Sequence, residues 1–170
     1  MRSKHIVLGA AAIATIITAG TFVVFSAVYT PALHKLGDRD YIERMQAINR
    51  DIQNPWFLGS FMGAVVLLPL AAYMYRKSGN GKRVSLLVTA SALYIVGTFG
   101  ITSAVNVPLN DKLDKVSTAT ALPGTLGGTR EQYETNWTKW HVVRTVASVG
   151  AAAAVVGALL SKPNHKKDKS

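Results

Sequence analysis

Four long stretches of this chain contain no Asp, Glu, Lys or Arg: residues 5–34, 53–75, 84–110 and 145–161. A helix that crosses a bilayer needs about 20 largely apolar residues, and the first three stretches reach that length unaided. The fourth reaches it by taking in Arg144 or its neighbours. A soluble helix of such length would show a polar face at every turn. The sequence therefore predicts an all-α protein, an antiparallel four-helix transmembrane bundle. Its spans fall at about 6–29, 55–75, 84–105 and 141–160, in a single membrane domain over 1–161. A basic disordered tail is expected over 162–170.

Charge is sparse as well as clustered. Only 16% of the residues are charged, against about 25% in ordinary soluble domains. The net charge of +10 would suit a nucleic-acid binder, but its distribution does not. Arg2 and Lys4, then Arg76, Lys77, Lys82 and Arg83, then Lys162, Lys166, Lys167 and Lys169 all lie on one side of a four-span chain. The basic residues of the other two connections are matched by acids. This is the positive-inside pattern, which puts both termini in the cytoplasm and makes the lipid bilayer the first partner. No basic–aromatic surface accompanies the charge, so no nucleic-acid partner is expected. With no cysteine in the chain, disulfides and thiolate ligands are excluded.

Between the spans the chain changes character. Pro31 biases Thr30 away from helical geometry and is expected to end the first helix. Residues 38–53 then repeat Tyr41, Met45, Ile48 and Ile52 on one face, an amphipathic helix that lies on the membrane or across the bundle mouth. It is either a lid or a plain connector. Asn54-Pro55 opens the second span, with proline tolerated at the first helical position. Gly59 and Gly63 make a GxxxG packing signal, for helices within the bundle or for a homo-oligomer. The segment 109–130 reads as an irregular loop, flexible over 122–128. Thr129 and Gln132 resemble a capping box that begins the last helix.

The site candidates gather at one end of such a bundle. In Asn136-Trp-Thr-Lys-Trp-His-Val-Val-Arg144 the residues Trp137, Trp140, His141 and Arg144 fall at i, i+3, i+4 and i+7, one helical face. Behind them Ala147, Gly150, Ala151, Ala154 and Gly157 offer a small-residue face for another helix. Phe22, Phe25, Ser26 and Tyr29 share a face near the same end of the first span, as part of a site or as an interfacial aromatic belt. Thr98, Thr102 and Asn106 form a polar stripe in the third span, and Asn106 is expected to face the interior. His34, Asn49, Asn54, Trp56 and Asn110 complete the cluster, since sites in bundles draw on facing helices.

Arg144 either snorkels outward as an anchor or points inward to Asn106 or a substrate oxyanion. His141 is the candidate general base beside it, since an imidazole ordinarily titrates near neutral pH, with His34 a second candidate. Asn49, Asn54, Asn106, Asn110, Phe25, Trp56, Trp137 and Trp140 are the candidate substrate-binding residues. HExxH is absent and no metal site is expected. The alternatives to an enzyme are a non-catalytic membrane protein holding a lipophilic ligand or partner helix, and a small transporter. The last is disfavoured because no acid lies within a span.

Met45-Gln-Ala-Ile-Asn-Arg50 followed by Asn54-Pro-Trp-Phe57 resembles the DUF1772, or anthrone oxygenase-like, membrane family. So do Tyr94-Ile-Val-Gly-Thr-Phe-Gly100, Asn106-Val-Pro-Leu-Asn110 and Trp137-Thr-Lys-Trp-His-Val-Val-Arg144, and the resemblance runs from about Gly20 to Gly157. It is closer to the bacterial type, which implies a bacterial plasma membrane. The resemblance implies four spans and, for the fungal relatives, oxidation of a polyketide anthrone to an anthraquinone by molecular oxygen without a cofactor. It also implies an aromatic cleft from Phe22, Phe25, Trp56 and Trp140. Within it His141 would be the base, Arg144 the cation over the oxyanion, and Asn106 an orienting group.

Overall fold

The computed structural model describes residues 2–162, and the tail expected over 162–170 lies outside them beyond Lys162. Five helices account for nearly all of the described chain: α1 Arg2–His34, α2 Asp38–Asp51, α3 Pro55–Tyr75, α4 Gly81–Asp114 and α5 Pro123–Leu160. There are no strands among the described residues. All but α2 are long and apolar enough to cross a membrane, which makes this a multi-pass membrane protein with one additional amphipathic helix.

Contacts at the helix ends fix how the spans pair. The His5 ring meets the Tyr75 hydroxyl at 2.9 Å near one end of the bundle, and the Phe22 and Phe57 rings lie 6.2 Å apart toward the other. For α4 and α5, Asn80 donates to the Ser161 and Lys162 carbonyls, and Asn106 donates to the Trp137 carbonyl at 3.3 Å. Lys4, Arg76, Arg83 and Lys162 therefore gather at a basic end. There Arg83 donates to the Ala158 carbonyl at 2.9 Å and to the Ser161 carbonyl, capping the end of α5.

The small residues of α5 face α4. A Cβ on Gly97 would sit 2.5 Å from Ala147 Cβ, and one on Gly150 would meet Leu93 at 3.2 Å. Close backbone approach is the usual gain from such residues where lipid removes the hydrophobic drive between helices. The GxxxG pair of α3 behaves differently. A Cβ on Gly59 would meet nothing within 4 Å, and α3 instead buries Ser60, Phe61, Ala64, Leu68 and Ala71. Within the bundle, the expected role of that motif is not observed.

Three helix ends depart from expectation. The first helix does not stop at Thr30 but continues to His34, and the third continues past Val105 to Asp114. In both, a wide π-type turn immediately precedes the proline: Phe25–Tyr29 before Pro31 and Thr102–Asn106 before Pro108. Proline lacks an N–H and its ring collides with the carbonyl four residues back. The wider turn moves that carbonyl aside, and the helix survives.

The third departure is α5, which starts at Pro123 rather than Thr129. Pro123 takes the first turn, where its missing N–H is no loss. Leu126 is then buried with Leu33, Tyr41 and Tyr133, while Gly127 approaches Asp38. Tertiary packing thus draws the supposed loop into the helix, and Thr129 caps nothing.

Helix α2 lies across the end of the bundle opposite the basic one. It begins and ends as the sequence pattern indicates, to within two residues, and buries Tyr41, Ile42, Met45, Gln46 and Asn49. Gln46 donates to the Leu113 and Val116 carbonyls at 2.8 and 3.0 Å. These bonds tie α2 to the end of α4 and to the turn that follows it. Burial holds the Tyr41 phenol above its usual pKa, so it stays protonated against the core.

Candidate functional site

Every helix contributes to one cavity of about 280 Å³ beneath α2. Helix α1 supplies Phe22 and Phe25, α3 supplies Phe57 and Phe61, and α2 roofs it with Ile48 and Asn49, joined by Ile52 just past its end. From α4 come Thr102, Asn110 and Asp111, and from α5 come Trp137, His141 and Arg144. Most of the wall is apolar and aromatic, with a few convergent polar groups, the usual make-up of a small-molecule site.

On its wall lies an arginine with no acid within ion-pair distance. Arg144 is only 7% exposed, and His141 one turn earlier is 1% exposed. The guanidinium is held between rings, 4.4 Å from the Phe22 centroid and 5.0 Å from that of Trp137. Its Nε and Nη2 donate to Nδ1 of His141 at 3.2 and 3.0 Å, and Nη1 donates to the Thr102 hydroxyl at 3.2 Å. The four ion pairs among the described residues all lie elsewhere. A guanidinium carries five N–H donors and no acceptor, so these bonds leave donors over for a ligand. Arg144 therefore points inward, and it bonds His141 and Thr102 rather than Asn106.

The imidazole is fixed on both sides. Because arginine can only donate, Nδ1 of His141 accepts, which places the ring proton on Nε2. That nitrogen lies 3.0 Å from the Ser26 hydroxyl. The ring also stacks on Trp137 at 4.8 Å and 17°.

A second layer of polar groups sets the tryptophan. Asn110 Oδ1 accepts from Trp137 Nε1 at 2.8 Å and from the Tyr133 hydroxyl at 2.9 Å. That hydroxyl in turn accepts from Asn49 Nδ2 at 3.2 Å. The chain of bonds joins α2, α4 and α5 around one indole. Asn106 is fully buried, as the polar stripe implies, and its Oδ1 has no partner. Among the described residues no three His, Asp or Glu side chains come together as metal ligands would.

A family model described as anthrone oxygenase matches residues 54–154, more than half of the chain. The chain belongs to the anthrone oxygenase family. No curated protein and no solved structure matches it. Within this anthrone oxygenase family member, the matched region carries Asn106, Asn110, Trp137, His141 and Arg144. The cavity walls from α1 and the α2 roof lie before it.

Of the residues singled out from sequence, Phe25, Asn49, Asn110, Trp137, His141 and Arg144 meet at the cavity, and Asn106 is buried behind Trp137. Four do not belong there. Trp56 is 88% exposed, one position away from Phe57, which lines the wall. Asn54 is spent on its own helix, its Oδ1 accepting from the Phe57 N–H at 3.0 Å as the N-cap of α3. Trp140 does not line the cavity. At about 100° per residue it sits on the edge of the face that Trp137, His141 and Arg144 share. His34 lies on the surface, 2.9 Å from Glu134. The neighbouring Arg130 donates to the His34 and Leu36 carbonyls there, closing the end of α1. Sequence reasoning did not assign Phe57, Phe61 or Asp111 to the site, nor Thr102 as the partner of Arg144. The i, i+4, i+8 spacing of Thr98, Thr102 and Asn106 was the one available signal for the last.

Proposed function

We propose that this protein is a cofactor-independent oxygenase acting on a lipophilic aromatic ketone whose ionised form binds Arg144. The observation that carries this reading is the buried guanidinium on the cavity wall, with spare donors and no carboxylate within ion-pair distance. A buried charge of that kind is costly unless something anionic compensates it. The aromatic wall suits a ring system, and family membership supplies the oxidation of an anthrone as the reference chemistry.

In this reading the ketone oxygen approaches Arg144, and the guanidinium turns its N–H groups from Nδ1 of His141 onto that oxygen. The freed Nδ1 then takes the acidic proton from the ring CH₂. The electron pair moves onto the oxygen, which Arg144 stabilises as an oxyanion. Molecular oxygen adds at the same carbon, the resulting hydroperoxide loses water, and CH₂ with O₂ becomes C=O with H₂O. Ser26, holding Nε2–H, keeps the imidazole in the tautomer that leaves Nδ1 basic.

The protein is further proposed to lie in the plasma membrane with its basic end, and both termini, on the cytoplasmic side. The cavity then sits toward the outer face, within one membrane domain over 1–161. Purified protein should accelerate oxygen uptake with an anthrone, and Arg144→Gln should abolish the acceleration. Equal rates for wild type, variant and buffer across a panel of acidic aromatic ketones would falsify the oxygenase reading.

A second reading has its own observation. Both ring nitrogens of His141 are already engaged, which suits a protein that holds an anionic lipophile without converting it. Mass spectrometry of co-purified lipophiles separates the two: unmodified ligand supports holding, oxidised product supports catalysis.

A further inference from the structure

The cavity is not the only space at this end of the bundle. A groove of about 850 Å³ runs along the outside of the protein between the end of α1 and α2. Thr21, Phe25, Ile48 and Ile52 line both the groove and the cavity, so the two spaces share one wall of four side chains. All four are only partly buried. On the groove side the surface is apolar, with Val24 and Leu33, and Gly20 leaves a notch where a Cβ would meet nothing within 4 Å. Val24 and Tyr29 are about half exposed on the apolar surface of a span. Arg44 and Asp51 mark the polar rim contributed by α2.

The sizes complement each other. Ligand pockets commonly run from about 300 to 1,000 Å³, and at about 280 Å³ the cavity suits a small ring system and little more. An aliphatic chain attached to that ring has no room inside. It does have room in the groove, where it moves between apolar surroundings and strips water from no polar group.

We propose that the ligand is a two-part amphiphile: an aromatic head with an ionisable oxygen on Arg144, and an aliphatic tail passing beside Phe25 into the groove against the lipid. The head assignment rests on the function proposed above; the tail rests on the shared wall. The ligand thus comes from the membrane phase, and the groove accommodates its chain.

The test uses the full chain in phosphatidylcholine nanodiscs, with tryptophan quenching as the readout and empty discs as the partition control. The probes are 2-hydroxy-1,4-naphthoquinone, an acidic ring without a tail, and its 3-octyl derivative. Wild type should bind both with membrane-phase affinities that differ by less than about tenfold. Gly20→Phe, which fills the notch, should weaken the octyl probe by at least about tenfold and leave the parent unchanged. Val24→Phe, projecting into the same groove, should do the same and serves if Gly20→Phe does not fold. The proposal is overturned if wild type rejects the octyl probe, or if the filled variants weaken both probes or neither. If the parent itself fails to bind wild type, the reading of the cavity falls too, and that result is distinct from loss of the tail alone.

Discussion

Arg144 donates to Nδ1 of His141 from one helical turn away, at 3.0 Å from Nη2, although both side chains are of the kind that carries positive charge. The bond exists only while the imidazole is neutral, since a protonated ring would turn an N–H toward an N–H. Neighbours at i and i+3 on a helix are held within reach, so this neutral acceptor is a fixed companion of the cation. It disperses none of the charge, which stays available to a ligand.

Removing that cation should separate function from stability. An arginine buried without an acid contributes little to folding, and an apolar replacement is often neutral or better. Arg144→Met is expected to keep folding stability to within about 1 kcal/mol of wild type while lowering oxygen uptake about 10²–10³-fold. Thermal unfolding in detergent and an oxygen electrode check the two halves. Arg144→Lys should not restore the rate, because one ammonium cannot hold His141, Thr102 and an oxyanion together.

Gly97 and Ala147 set the spacing of α4 and α5. The Cβ that Gly97→Ala introduces falls 2.5 Å from Ala147 Cβ, and one of the two helices must retreat. Overpacking of this kind costs about 1–3 kcal/mol, read as a lower thermal midpoint. Ala147→Gly added to Gly97→Ala should recover most of the loss, a coupling that independent sites would not show.

Asn110 serves two donors through one oxygen. Asn110→Ala leaves the Trp137 indole N–H and the Tyr133 hydroxyl without their acceptor, at about 1–3 kcal/mol for each group left unsatisfied. The expected result is lower stability together with a shifted tryptophan emission spectrum. Asn110→Asp keeps an acceptor in place and should stay closer to wild type in both.

His34 is expected to be dispensable. Its contact with Glu134 is made by a side chain that is 77% exposed, and exposed ion pairs contribute about 0–1 kcal/mol. His34→Ala should leave oxygen uptake unchanged and barely move the thermal midpoint. A loss of uptake comparable to that of Arg144→Met would return His34 to the list of bases.

The spans were legible because missing charge is a long-range signal that survives local irregularity. The ends of α1 and α4 were not, since Pro31 reads as a stop and the third apolar span is expected to end near Val105. The wide turns that rescue them leave no mark in the local composition. At the site, Trp137, His141 and Arg144 could be grouped because their spacing on one helix fixes their mutual direction. Trp140, grouped with them by the same spacing, falls at the edge of that face, and Trp56 of α3 could not be placed at all. In a helix that is apolar on all sides, sequence does not say which face turns inward. That rotation is set by packing, as with Ser60 and Ala64 of α3, which are buried while Gly59 is not.

The cavity is divided along the chain in a useful way. Its cation, imidazole and indole lie between residues 54 and 154, whereas Phe22, Phe25, Ile48 and Asn49 precede them. The leading helix and the roof therefore form a separate length of chain that moulds the space around the cation, imidazole and indole. Grafting residues 1–53 from another member of the family onto this chain would recast the shape of the chamber in a single cut, leaving Trp137, His141 and Arg144 in place and exchanging their neighbours Phe22 and Ser26.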